Sequence, residues 1–414
     1  MTHDSVVMRM IAIILIGGAC FVASLLVLAL TDERQNRSEV AREEIAGKWG
    51  SPQVVAGPIL VYSGGDEERV LPETIRVESQ LEPEVRSRGI FKSVVYTGTI
   101  KVSGDFLRET VLQSAKGRSS ATFSLPITDT RGIEKQFTLR WNNQEVPFIQ
   151  GPGVDFDNSS GISAAVPLGA ASARIPFSFD LLLKGSEGIS FAPVGKETVL
   201  SISSPWASPK FTGSFLPAER EISADGFRAE WRVSSFGRSY PQVWSGTSVP
   251  PQKIIDSAMG VSLHQEIDTY DMVFRSVKYA ILFIIITFTV FFLFDVLGKA
   301  RIHPIQYLLI GSALALFYAL LLSLAEQIGF LPAYGIATAL IVILVTWYSA
   351  FVLGSRRRAV PIAAMLVLLY GYLYFVLRLE DYALLVGSLL VFAVLAATMY
   401  LTRNIDWFLI GKSQ

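Results

Sequence analysis

Ionisable and polar side chains at the ends of apolar segments are the residues of this chain best placed to do chemistry. They form two sets, one near each face of the predicted membrane region. Near the cytoplasmic face lie Asp295, His303 and Gln306, and near the outer face lie Glu326, Arg378, Glu380 and Asp381. Charged groups at membrane depth are costly, and they mark function or pairing. Glu326 and Arg378 each end an apolar segment at matching depth, which predicts an ion pair between them. A ligand or ion site is the alternative.

A stretch rich in aromatic and basic residues is the second candidate. Its members are Trp231, Arg232, Phe236, Arg238, Tyr240 and Trp244. This composition is typical of a surface that binds a ligand or partner. Packing of the rings inside a β core is the alternative.

The sequence lacks the motifs of the common catalytic sites. It has 3 histidines and 1 cysteine, and it contains no H-E-x-x-H, G-x-S-x-G or G-x-x-x-x-G-K-[ST] pattern. We therefore predict no catalytic residue, no metal, no cofactor and no enzymatic activity, with a carboxylate-based hydrolase or transferase as the alternative. Lys+Arg and Asp+Glu balance at 36 each, so no nucleic-acid partner is expected.

Six apolar segments have the length of a membrane-crossing helix, about 20 residues. They are Met10–Leu30, Val277–Leu297, Ile305–Ala325, Phe330–Leu353, Val360–Leu377 and Tyr382–Leu401. A cleaved signal peptide is the alternative for the first, but that segment is longer than a signal core of about 7–15 residues.

The polar middle of the chain has the alternation of β-strands. Ile175, Phe177, Phe179, Leu181 and Leu183 alternate with mostly polar neighbours, so one side of this strand faces a core. Other predicted strands are Thr99–Phe106, Ala121–Pro126, Phe137–Trp141, Thr198–Ser203, Phe227–Val233 and Gly260–Ile267.

These patterns predict a mixed membrane protein with three parts. Residues 1–30 form a cytoplasmic tip and transmembrane anchor, residues 31–276 an all-β, sandwich-like domain, and residues 277–414 a five-helix transmembrane bundle with a cytoplasmic C-terminus. The β domain is expected as one body or as two modules divided near residues 151–161.

The basic residues of the short loops predict the orientation. If the N-terminus is cytoplasmic, the inner segments carry most of the Lys and Arg residues, including the Arg356–Arg358 triplet, whereas Arg378 is the basic residue of the short outer loops. Cytoplasmic loops are enriched in Lys and Arg. Both termini are therefore expected in the cytoplasm and the β domain outside it.

Several stretches together resemble the CreD family of bacterial inner-membrane proteins. They include Gly57–Leu60, Arg88–Phe91, Asp129–Ile133, Ser234–Arg238, Arg275–Tyr279, His303–Tyr307, Ser323–Glu326, Glu380–Leu385 and Met399–Arg403. The resemblance implies a Gram-negative inner membrane, a periplasmic β domain and a role in cell-envelope integrity. It brings no catalytic residues.

We therefore predict a non-enzymatic protein whose periplasmic domain binds or senses an envelope component. Its partners would be the lipid bilayer and an unknown envelope protein or ligand, and a homo-oligomer stays open. The main alternative is a transporter or channel lined by Asp295, His303, Glu326 and Arg378.

Overall fold

The structure, a computed structural model, describes residues 6–62, 67–153, 160–169, 172–263, 269–298, 302–379 and 382–403. The chain forms two compact units. Met1–Arg37 together with Ile267–Gln414 make up the helical unit, and Ser38–Glu266 make up the β unit. Each unit is built from the type of segment that its hydrophobic pattern predicts.

The described part of the β unit contains eighteen strands, two short α-helices and two single 3-10 turns, Thr130–Gly132 and Ser235–Gly237. The strands are β1 Gln53–Val55, β2 Ile59–Tyr62, β3 Glu68–Val70, β4 Thr74–Arg88, β5 Phe91–Leu107, β6 Ser120–Pro126, β7 Thr138–Trp141, β8 Gln144–Pro147, β9 Ile149–Gln150, β10 Gly161–Pro167, β11 Arg174–Ser186, β12 Gly188–Phe191, β13 Glu197–Ser204, β14 Lys210–Gly213, β15 Glu219–Ser223, β16 Gly226–Ser234, β17 Val243–Ser245 and β18 Met259–Ser262.

These strands form three sheets. The largest has eight strands in the order β15-β16-β13-β4-β5-β11-β7-β8, the second has the order β17-β3-β2-β6-β10-β9, and the third has the order β1-β12-β18-β14. In the largest sheet β13 pairs with β4 in parallel, although more than 100 residues separate them in the chain. The inner strands of the largest sheet are therefore hydrogen-bonded on both sides.

Alternation along the strands builds the core of the β unit. In β11, Ile175, Phe177 and Phe179 are buried, and they join one continuous hydrophobic cluster that spans the β unit. Phe177 lies opposite Gly104 of β5, where an added Cβ would come within 2.2 Å of the Thr74 carbonyl oxygen. The absence of a side chain at Gly104 lets this ring approach the backbone of the neighbouring strand closely.

The remaining elements are helices. They are α1 Val6–Trp49, α2 Arg108–Ala115, α3 Pro251–Ile255, α4 Thr269–Lys278, α5 Ala280–Gly298, α6 Pro304–Ile328, α7 Phe330–Val352, α8 Arg356–Arg378 and α9 Ala383–Thr402.

Six membrane-crossing helices were predicted, and fewer of the described helices are long and apolar enough to cross a membrane. By length and composition, 4 described helices can cross a membrane, namely α1, α6, α7 and α8. The count rises to 5 if α4 and α5, which meet at an angle of 42°, form one bent span. In α9 the described apolar stretch, Leu385–Tyr400, is shorter than these.

Helix α1 continues well beyond the apolar segment that predicted it. It runs for 44 residues without interruption and ends at Trp49, although the apolar segment ends at Leu30. Gly50 follows with a φ of 144°, a conformation that favours glycine and stops the helix. The last turns of α1 belong to the β unit.

Cys20 lies in a contact between two helices. Its side chain is buried, and an added Cβ on Gly311 of α6 would come within 2.5 Å of the Cys20 sulfur. Small residues permit such close helix approaches inside a membrane. Cys20 and Gly311 therefore set how closely α1 approaches α6.

Candidate ligand groove and polar clusters

A groove of about 330 Å³ runs along the outer side of β13 in the eight-stranded sheet. Its floor carries the short side chains of Ser201 and Ser203, and longer side chains on β4 and β16 form its walls. Because β13 lies between those strands, two strand spacings, or about 10 Å, separate the walls. The groove is thus wide enough for one extended chain.

The strand register brings distant parts of the sequence to this groove. Ser201 lies opposite Glu230 of β16 on one side and opposite Glu78 of β4 on the other. Lys101 of β5 lies next to Glu78 in the same row. Directly paired residues point to the same side of a sheet, so these four side chains share one surface.

Most of the charges in the groove have no ionic partner. Within the described ranges, Arg76, Glu78, Lys101 and Arg228 form no ion pair. Glu230 differs, because its Oε1 accepts a hydrogen bond of 2.7 Å from Nε of Arg232 at the rim. The lining therefore presents three cations and two carboxylates, and one of these carboxylates is already engaged.

Three of the predicted polar residues accept backbone hydrogen bonds at or just before the start of α6. His303 Nδ1 accepts a hydrogen bond of 3.3 Å from the Ile305 N–H, and Gln306 Oε1 accepts one of 2.9 Å from the His303 N–H. Asp295 Oδ1 accepts a hydrogen bond of 3.1 Å from the Ile302 N–H. His303 and Gln306 form a capping box, which satisfies backbone donors that a first helical turn leaves unpaired. These side chains thus have a structural role in the connection from α5 to α6.

Glu326 forms a different pair from the one predicted. Its carboxylate is only 9% exposed, and it lies 3.9 Å from Nε of Arg34 and accepts a hydrogen bond of 3.2 Å from the Tyr270 hydroxyl. The Arg378 guanidinium instead lies 5.3 Å from the centre of the Tyr374 ring. Across the described residues the Glu326–Arg378 ion pair is absent, because α1 and α4 supply the partners of Glu326.

The two polar sets of the helical unit lie far apart. Residues 303 and 326 are at opposite ends of α6, which at 1.5 Å per residue places them roughly 35 Å apart. Glu380 and Asp381 lie outside the described residues. The polar residues that the structure describes therefore do not converge on one site.

The aromatic and basic stretch is not a single surface. Trp231, Tyr240 and Trp244 are buried in the core of the β unit, as the packing alternative predicted. Arg232 is exposed, and Phe236 is 99% exposed. Within β16, strand alternation separates Trp231 from Arg232, since neighbouring side chains in a strand point to opposite sides.

Arg238 from the same stretch forms part of an internal network. It is buried, donates a hydrogen bond of 2.9 Å to the Val194 carbonyl and also donates to the Gln242 side chain. Gln242 Nε2 in turn donates to the carbonyl oxygens of Leu71 and Pro72 at 2.8 and 2.7 Å. Burial lowers the pKa of Arg238 below its ordinary value. The network joins three segments that are distant in sequence.

Asp129 is the centre of a second network, which motif analysis did not assign to any role. Its carboxylate accepts hydrogen bonds of 3.0 Å from the Ser51 N–H and the Arg131 N–H, and the Arg131 side chain binds the same carboxylate at 2.8 and 2.9 Å. The Arg131 side chain, and after it the backbone donors, hold the pKa of Asp129 well below its usual range. Arg131 also donates to the Gly47 carbonyl of α1 at 3.1 Å.

Trp49 adds to this attachment of the last turn of α1. Its Nε1 donates a hydrogen bond of 3.1 Å to the Tyr96 carbonyl of β5. The Lys184 ammonium and the Arg86 guanidinium lie 4.5 and 4.9 Å from the centre of its ring. Cations over an indole ring are attracted by its quadrupole. The end of α1 is thus fixed to the sheet that contains the groove.

Metal coordination has no candidate in the described part of the chain. No group of three or more His, Cys, Asp or Glu residues there could hold a metal ion.

The groove residues were not found by motif analysis, because they carry no motif. The available signal was the run of outward Ser and charged residues in the predicted strands Thr198–Ser203 and Phe227–Val233.

Two comparisons with known proteins agree with each other. A family model described as inner membrane protein CreD matches residues 5–408. A protein from Escherichia coli (strain K12), called inner membrane protein CreD, is 30% identical over 401 residues, which cover 91% of this chain and 87% of that protein.

A solved structure gives a much weaker likeness. An M1 zinc metallopeptidase from Deinococcus radiodurans is 10% identical, with a TM-score of 0.22 over 47% of this chain and 42% of that chain. A TM-score at this level carries no argument about fold or function.

Proposed function

The chain belongs to the CreD family of inner membrane proteins, which confirms the family resemblance, and from this premise we propose its function. The protein supports cell-envelope integrity by binding or sensing an envelope component with its β unit. The β unit stands in the periplasm as a sandwich-like domain. The helical unit crosses the inner membrane six times and keeps both termini in the cytoplasm.

Charge distribution supports this orientation. Arg356, Arg357 and Arg358 open α8, whereas the connection between α6 and α7 at Gly329 carries no Lys or Arg. Positive residues mark the cytoplasmic ends of membrane helices. With α1, the α4–α5 pair and α6 to α9 each counted as one crossing, an even number of crossings brings both termini to the cytoplasm.

The groove along β13 is the observation that carries the binding proposal. Its walls hold charged side chains without ionic partners among the described residues, and its Ser201 and Ser203 hydroxyls have no hydrogen-bond partner there. Unpaired polar groups that converge on a concave surface are typical of a binding site. A purely solvated sheet needs no groove of this kind.

Transport is the second candidate, and the arrangement of α6 weighs against it. His303 and Glu326 lie at opposite ends of this helix, where they cap or pair locally. A transport site needs polar groups near the bilayer midplane, at the meeting point of broken helices. We therefore rank envelope binding above transport.

A carboxylate-based enzyme is the third candidate. Glu78 and Glu230 stand on opposite walls of the groove, but Glu78 is exposed and Glu230 is bound to Arg232. A carboxylic acid that keeps its proton near neutral pH needs an apolar, buried setting. Binding without turnover fits these carboxylates better.

Thiol labelling in intact cells tests the orientation. In a Cys20→Ala background, Phe236→Cys and Arg357→Cys each place one exposed thiol, in the β unit and at the start of α8 respectively. A membrane-impermeant thiol reagent should label position 236 in intact cells and position 357 only after the inner membrane is opened. Labelling of position 357 in intact cells would overturn the proposed topology.

Binding by the β unit is tested in living cells. A photo-crosslinking residue replaces Phe236, and a second strain carries it in place of Val360, an exposed residue of α8. We expect envelope material crosslinked at position 236 and none at position 360. Equal products from both strains would contradict an envelope partner of the β unit.

A further inference from the structure

The groove is built so that side chains alone contact a ligand. β13 is hydrogen-bonded to β4 on one side and to β16 on the other, so its backbone N–H and C=O groups are already paired. An extended peptide that adds to a sheet needs a free strand edge. Strand addition is therefore excluded at this position, and recognition depends on hydroxyl, carboxylate, guanidinium and ammonium groups.

The lining suits a ligand that is rich in hydroxyl groups. Ser201 and Ser203 can donate and accept hydrogen bonds, the carboxylate of Glu78 only accepts, and Lys101 and Arg228 only donate. A sugar hydroxyl both donates and accepts, so it can bind every one of these groups. Among the lining residues, Val77 and Val199 are the apolar ones, which leaves little to bind the apolar side chains of a peptide.

The charge of the lining indicates a negative ligand. Arg76, Lys101 and Arg228 face the groove against Glu78 and Glu230, and Arg232 at the rim pairs with both Glu230 and Glu219. The three groove cations have no ionic partner among the described residues. Such cations form charge-assisted hydrogen bonds with carboxylate or phosphate oxygens.

We propose that the groove along β13 binds a glycan strand that carries carboxylate or phosphate groups. Sugar hydroxyls bind the serine floor and Glu78, and the negative substituents bind Lys101, Arg76 and Arg228. The inference rests on the proposed function, since an envelope glycan reaches this groove only from the periplasm. The binding test uses purified protein and does not depend on the orientation of the protein in the membrane. The glycan-binding proposal and the proposed periplasmic location can therefore fail separately.

The test is a calorimetric titration of the full-length protein in detergent micelles. The probes are a galacturonic acid hexamer, a maltose-type glucose hexamer as the neutral glycan, and a glutamate hexamer as the acidic peptide. We expect saturable binding of the galacturonic acid hexamer that is at least tenfold tighter than that of the other two. No saturable binding, or equal or tighter binding of the glutamate hexamer, would overturn the proposal.

Variants locate the binding site. Lys101→Gln and Arg228→Gln should each raise the Kd about tenfold, since a hydrogen bond to a charged group contributes a factor of this order. Ser201→Leu fills the floor without changing any charge and should abolish binding. All three positions are on the outer side of the sheet, and retained thermal stability shows that the variants fold.

Arg140→Gln is the matched control. Arg140 is exposed on the same side of the same sheet, because it pairs with Ser178 of β11, which pairs with Ser103 of β5 and thereby aligns with Arg76. It lies three strands from β4, outside the groove. Affinity should not change in this variant. A loss equal to that of Arg228→Gln would show general attraction of anions to the sheet and would contradict a defined site.

Discussion

Removal of the Asp129 carboxylate should loosen the end of α1. In the native β unit this carboxylate accepts hydrogen bonds from the Ser51 and Arg131 N–H groups, and it positions the Arg131 side chain, which binds the Gly47 carbonyl. Asp129→Ala leaves both backbone donors without their acceptor. Each hydrogen bond to a charged group contributes about 1.5–3 kcal/mol.

The expected loss in local stability is about 3 kcal/mol, at the low end for two such bonds. The ion pair with Arg131 adds little, because the Arg131 side chain is 64% exposed and screened by water. A loss of this size speeds amide exchange roughly hundredfold where exchange proceeds through local opening. Hydrogen exchange with mass spectrometry on the full-length protein in micelles measures it in peptides covering residues 44–55.

The control is Asp180→Ala on β11. Asp180 is exposed and its carboxylate forms no ion pair or hydrogen bond with other described residues, so exchange in residues 44–55 should not change. If Asp129→Ala leaves exchange in that segment at the native rate, the Asp129 network does not hold α1, and the reasoning fails. If Asp180→Ala speeds exchange equally, the effect is not specific to the network.

The stability of the end of α1 should depend on pH, because the pKa of Asp129 is lowered in the folded protein. A carboxyl whose pKa is lower in the folded state than in the unfolded state, where it is about 3.9, stabilises the fold above that unfolded value. This contribution is lost as the pH falls through the folded pKa. After correction for the intrinsic pH dependence of exchange, residues 44–55 should exchange more slowly in the native protein than in Asp129→Asn. This difference in protection should shrink as the pH is lowered from about 5 toward 2. A constant advantage would contradict a role for the charge.

Two predictions concern the helical unit. Glu326→Gln should lower the Tm in micelles by about 3 °C, because the charged acceptor of the Tyr270 hydroxyl is lost and such a bond contributes about 1.5 kcal/mol or more. Arg378→Gln removes only the contact with the Tyr374 ring and should lower the Tm less than Glu326→Gln does. An equal drop would support the predicted Glu326–Arg378 pair. Gly311→Leu should sharply reduce the yield of folded protein, because the side chain would enter the space of Cys20. Cys20→Ala should restore part of that yield, and no recovery would contradict the contact.

Strand alternation and segment length made the two types of unit predictable. The alternation at Ile175, Phe177 and Phe179 is reproduced in β11, and the predicted strand Thr99–Phe106 lies within the longer β5. The same alternation could have divided the aromatic stretch, since Trp231 occupies an inward position of β16 and Arg232 an outward one. The packing alternative therefore describes Trp231, and a surface role is left only to outward positions such as Arg232.

Partners that come from distant segments could not be predicted. Arg34 and Tyr270 approach Glu326 because α1 and α4 pack beside the end of α6, whereas the sequence offered only the matching depth of Arg378. The capping role of His303 and Gln306 was readable in principle, because both flank Pro304 at a helix start. From the sequence, structural pairing at the membrane face was predicted for these side chains, with a ligand or ion site as the alternative.

The sequence by itself determined which segments are apolar enough to enter a membrane and which alternate as strands, because both properties depend on residues close together in the chain. Only the tertiary structure decided where the groove lies. Its floor and walls come from β4, β5, β13 and β16, and the parallel pairing of β4 with β13 joins residues more than 100 positions apart. Side chains such as Ser201 and Glu78 gain a common surface only through that register, and no local pattern encodes it.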